Sequence, residues 1–127
     1  MTIEQMLKIH EDFKSKGLSI SEEDMLDWLH LREDMITEAS NLKSKNIEAK
    51  MILDKDKAKK VLELKTVKDG SWKGLTETSI DWNIKIDFFD REVEITVQKA
   101  MADLLQSKAD TIIEYINVIK LNKRISY

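Results

Sequence analysis

Two histidines, His10 and His30, are the imidazoles of this chain, the side chains most often used as a general base or metal ligand. They fall in different segments, and neither carries a His-Glu-x-x-His spacing around it. Both are therefore read as polar or flanking helix positions. The carboxylates offer two further groupings, Asp54 with Asp56, and Asp87 with Asp90 and Glu92. Oxygen donors so arranged suit a hard cation, but neither group has the spacing or the turn glycine of an EF-hand loop. They are read as solvated faces. There is no Gly-rich phosphate loop and no Gly-x-Ser-x-Gly elbow. The absence of Cys removes disulfides and thiolate chemistry. The expectation is a non-enzyme with no catalytic residues, no metal and no cofactor, which works by binding other macromolecules.

Charge says where such binding would fall. From Met1 to Leu42 there are four Lys/Arg against ten Asp/Glu; from Lys43 to Lys73, ten Lys against five Asp/Glu; from Gly74 onward, seven against nine. A basic middle sits in a chain whose net charge is −3. Lys55, Lys57, Lys59, Lys60, Lys65, Lys68 and Lys73, with Trp72 among the last of them, form the candidate nucleic-acid surface. Lysines hold phosphates as point charges without reading sequence, and an aromatic ring can stack on a base. The same lysines also fit a solvated helix face paired with Asp54, Asp56 and Glu63, and Trp72 also fits a cap on the turn. The acidic first third is the candidate protein-binding surface, with Glu22, Glu23, Asp24 and Asp27 steering a basic partner.

These residues need elements to hold them. The chain has no Pro and three Gly, the residues that punctuate a fold, and is rich in charge, Ile and Leu. Thr2 and Gln5 have the spacing of a capping box, Ile3, Met6, Leu7, His10 and Phe13 share a helical face, and Gly17 supplies the stop. A helix over about 2–16 follows. Ser21 then caps a second helix, with Ile20 and Met25 as a hydrophobic staple and Glu22, Glu23 and Asp24 at the positive end of its dipole. Its stripe runs Met25, Trp28, Leu29, Arg32, Met35, Ile36, Ala39 and Leu42, and Ile47, Met51, Ala58, Val61, Leu62 and Lys65 can extend it to about 67. Trp28 is placed in the core. Asp69-Gly70 and Gly74 mark a turn. Beyond it, Trp82, Ile86, Phe89, Val93, Val97, Ala100 and Leu104 fit a third helix over about 79–122, and no Gly or Pro interrupts it. Trp82, Ile84, Ile86 and Phe88, then Val93, Ile95 and Val97, also alternate as strands do.

The fold expected is all-α, a single domain over 1–127 with a short N-terminal helix and a long antiparallel helical hairpin. The alternative is α+β, with a β-hairpin at about 80–98 pairing Ile80–Phe89 with Glu92–Gln98. Two long helices and a short one make a narrow core, so a homo-oligomer is expected. No apolar run nears the ~20 residues of a membrane span, and the first residues lack the pattern of a secretion signal. The expectation is no membrane and a cytoplasmic location, that of the host cell if the chain is viral.

The order of elements, the second helix ending in Lys57-Ala58-Lys59-Lys60, and the tail Ile112-Ile113-Glu114-Tyr115-Ile116-Asn117 resemble the phage recombination-mediator family across most of the chain. The chain departs from that family in its acidic net charge and in lacking an aromatic-Gly turn after the second helix. The resemblance implies ring-like oligomers that bind single-stranded DNA and load a recombinase. It implies no catalytic residues. Two other functions stay open on the residues alone: a protein-binding inhibitor or assembly factor, for example against a host defence system, and a structural coiled-coil subunit of a larger particle.

Overall fold

Helix signals decide the architecture from the first residue. The computed structural model describes residues 1–66 and 77–125. Lys68, Trp72, Lys73 and the Asp69-Gly70 turn lie outside them. Helix α1, Ile3–Lys16, opens on the expected capping box. The Gln5 amide donates to the Thr2 hydroxyl at 3.1 Å, and the Thr2 amide donates to Gln5 Oε1 at 2.9 Å. Gly17 ends α1 at φ +54°, a conformation that disfavours any residue with a Cβ. One 3₁₀ turn, Gly17–Ser19, leads to α2, Glu22–Thr66. Ser21 caps α2 by accepting from the Asp24 amide at 3.1 Å, and the staple residues Ile20 and Met25 are both buried. Helix α3 runs Glu77–Ile125.

The described residues are all-α, with three α-helices and no strand among them. The alternative hairpin at 80–98 is thereby corrected, since that segment is continuous helix. Its β-branched residues cost only a few tenths of a kcal/mol each in a helix. Packing overrides that cost, because the two halves of the apparent strand alternation become two faces of one helix.

The chain divides into two compact units. Unit 1 comprises Met1–Lys43 and Ala100–Tyr127. Here α1 and the N-terminal part of α2 pack on the C-terminal part of α3, and the seam repeats at three and four residues: Met25, Trp28, Arg32, Met35 and Ala39 on α2, and Ala102, Leu105, Ala109, Ile112, Ile116 and Ile119 on α3. Small residues set against large ones let the helices approach closely. Trp28 joins all three helices, stacked between Phe13 of α1 and Tyr115 of α3 with ring centroids 6.0 and 5.9 Å away. Leu31, outside the expected stripe, is buried as well.

Unit 2 is Ser44–Lys99, a two-helix arrangement in which α2 and α3 run antiparallel. The buried and half-buried positions that mark its seam are Asn46, Ala49, Leu53 and Asp56 on α2 and Ile84, Phe88, Arg91, Ile95 and Gln98 on α3, and polar groups enter it. Asn46 Nδ2 donates to the Ile95 carbonyl at 2.7 Å and lies 3.4 Å from Gln98 Oε1. Arg91 pairs with Asp56 at 2.9 Å, and Lys57 pairs with Glu92. In this unit Leu53 and Ile80 are the buried apolar side chains among the described residues, and neither is fully enclosed. The expected extension of the α2 stripe is corrected here: Ile47, Met51, Ala58, Leu62 and Lys65 are exposed and Val61 alone of that set is half-buried, because the seam has rotated onto Asn46, Ala49 and Leu53.

Candidate functional site

The lysine-bearing stretch of α2 gives unit 2 its outward character. Lys50, Lys55, Lys59 and Lys65 are exposed and Lys60 is half-buried. None of the five has an ion pair among the described residues. Lys57 differs, being held across the seam by Glu92. Its charge fixes α2 against α3 as well as facing solvent. The candidate nucleic-acid residues thus split into Lys55, Lys59, Lys60 and Lys65 on the surface, Lys57 in the seam, and Lys68, Trp72 and Lys73 beyond the described residues.

An open groove of about 740 Å³ follows one side of this unit. It brings Lys50, Lys57 and Lys99 together with Asn46, Ile47 and Met51, and Asp54 and Glu92 also line it. Lys99 was missed in the sequence because it belongs to α3, 42 positions from Lys57 in a segment that is not basic. Only the antiparallel pairing makes the two neighbours.

The acidic candidates sit at the start of α2 in unit 1. Glu22, Glu23 and Asp27 are exposed. Asp24 accepts from Lys16 Nζ at 2.8 Å. That hydrogen bond, with lesser help from Ser21 and against some desolvation, holds its carboxyl below the usual carboxylate range. Glu22 lines a groove of about 420 Å³ with Lys120, Lys123 and Arg124. Two of the four acidic residues therefore have cations beside them, which weakens the field they would present to a basic partner.

His30 is exposed, while His10 is buried. Its Nδ1 accepts a hydrogen bond from Trp28 Nε1 at 3.1 Å. Burial is the main cause of a pKa below the ordinary value, with Lys108 and Lys14 adding to it and Glu11 opposing. Of the carboxylate groupings, Asp56 is taken by Arg91 and Glu92 by Lys57. Among the described residues no three His, Asp or Glu side chains gather as a metal centre requires, and no helix is long and apolar enough to cross a membrane. Comparison with protein families, curated proteins and solved structures finds no match.

Proposed function

We propose that this chain is a non-catalytic helical accessory protein that binds single-stranded nucleic acid through the exposed lysines of α2. The observation that carries the reading is the contrast within unit 2: Lys57 and Arg91 are paired across the seam, whereas Lys50, Lys55, Lys59 and Lys65 are exposed and without ion pairs among the described residues. Cations kept off structural duty are available to phosphates. Lysines on a helix track a backbone without reading bases, so the binding is sequence-independent. The resemblance to recombination mediators supports a role in recombination or replication, in a viral or mobile element acting in the host cytoplasm. The alternative of a basic protein partner for Glu22, Glu23, Asp24 and Asp27 is less favoured, because Lys16, Lys120, Lys123 and Arg124 stand beside that surface.

The test is electrophoretic. A labelled oligonucleotide should be retarded at ~50 mM salt and released steeply by ~200 mM, with a log–log slope of about 0.7 per phosphate neutralised. Lys55→Glu with Lys59→Glu should weaken binding about equally for unrelated base sequences and flatten that slope by roughly one to two units. No retardation of any oligonucleotide at ~50 mM salt would sink the proposal.

A further inference from the structure

Helix α3 carries an apolar stripe in unit 2 that no part of the described chain covers. Trp82, Ile86, Phe89, Val93 and Val97 are all exposed, Trp82 at 62 % and Phe89 at 60 %. At 100° per residue this stripe lies about 180° from the seam positions Ile84, Phe88 and Ile95. The helix is therefore apolar on two opposite sides. One side meets α2; the other faces solvent.

We propose that this outer stripe is a self-association surface, covered in solution by the same stripe of a second copy of this chain. Three observations support that occupant. The stripe recurs at four, three, four and four residues, so Trp82 and Val93 are 11 positions apart, as are Ile86 and Val97. An 11-residue period drifts only about 20° around the helix per repeat, so the stripe stays on one side and fits another long helix in a shallow right-handed supercoil. The chain itself supplies one, since α3 has 49 residues. The second observation is size. These five side chains expose on the order of 500 Å² of apolar surface, so a symmetric pair buries about 1,000 Å², the lower bound for a specific interface. A patch of this extent is at the upper end of what a monomer exposes, and patches of that size are often functional. The third is the poverty of unit 2 itself, whose buried apolar residues are Leu53 and Ile80 among those described. Two copies packed α3 to α3 turn two thin hairpins into a four-helix layer with a core of its own. A two-fold contact is self-complementary, so one patch serves both partners. This inference does not depend on nucleic-acid binding, and the two fail separately.

The experiment is molar mass by light scattering on the full chain from about 1 to about 100 μM, where an interface of this size should associate. Wild type should reach twice the chain mass within that range. Ile86→Asp with Val93→Asp should stay at the chain mass with an unchanged circular dichroism spectrum, because both sites are exposed in the single chain. Leu121→Asp, an exposed position in unit 1, should associate as wild type does. Ile86→Ser with Val93→Ser makes the same break should the charged pair fail to fold. A wild-type protein at the chain mass at every concentration, or a folded stripe variant that still doubles, overturns the proposal.

Discussion

An imidazole sits comfortably in a core only while it is neutral. His10 is neutral where it accepts from Trp28, and a proton on Nδ1 would set two donors against each other. Its pKa is lowered from 6.5 in the folded chain, chiefly by burial. As pH falls, the unfolded chain binds the proton first. The stability of unit 1 is therefore full above the unfolded value and drains away below it, until the folded His10 also titrates. The urea midpoint should fall between about pH 7.5 and pH 5.5, and His10→Gln, which keeps an acceptor, should lessen that fall. Trp28→Phe deletes the donor and leaves the imidazole unsatisfied; a loss of about 2 kcal/mol is expected in the same titration at neutral pH. Arg32 shows the opposite balance. Its Nε is buried without a hydrogen-bond partner. Arg32→Met keeps the long stem and removes the orphan donor, so denaturant unfolding should show a gain of about 1 kcal/mol.

At the scale of elements, the ends of α1 were written plainly in the chain. Thr2 with Gln5 and Gly17 there, and Ser21 with Asp24 at the start of α2, act through partners within four residues, and local chemistry of that kind is readable before any fold is known. Gly17→Ala should cost about 1 kcal/mol through backbone strain alone, because a Cβ there meets nothing within 4 Å. The core of unit 1 was legible for the related reason that its apolar residues keep a helical period. Unit 2 was not. Both α2 and α3 carry apolar residues on two sides there, and periodicity does not say which side meets the partner helix. Asn46 and Gln98 look like surface residues until the helices are paired. The candidate cations were legible as a cluster on α2, yet the pairing of Lys57 with Glu92 and the approach of Lys99 depend on residues far away in sequence. Asn46 in the seam costs stability and fixes alignment, as a lone polar residue does at such positions. Asn46→Leu should raise the melting temperature while broadening the amide NMR resonances of α3 in unit 2, as more than one register becomes accessible.

For the molecule as a whole, the two units differ in what holds them. Unit 1 has an apolar core contributed by three helices, whereas unit 2 relies on a thin seam, an amide layer and two ion pairs with partly exposed side chains. Such pairs contribute about 0–1 kcal/mol each. Amide hydrogen exchange should be slowest around Trp28, Met35, Leu105 and Ile112 and markedly faster through residues 44–65 and 77–99; equal protection in the two units would contradict this account. The environment of Trp28 also has an optical consequence. Its indole is enclosed by aromatic rings and bonded to a titratable imidazole, and an imidazolium quenches indole emission. Replacing Trp72 and Trp82 by Phe would leave Trp28 as the sole tryptophan, separable from Tyr115 and Tyr127 by excitation at the red edge. Its fluorescence would then report acid loosening of unit 1 without an attached label.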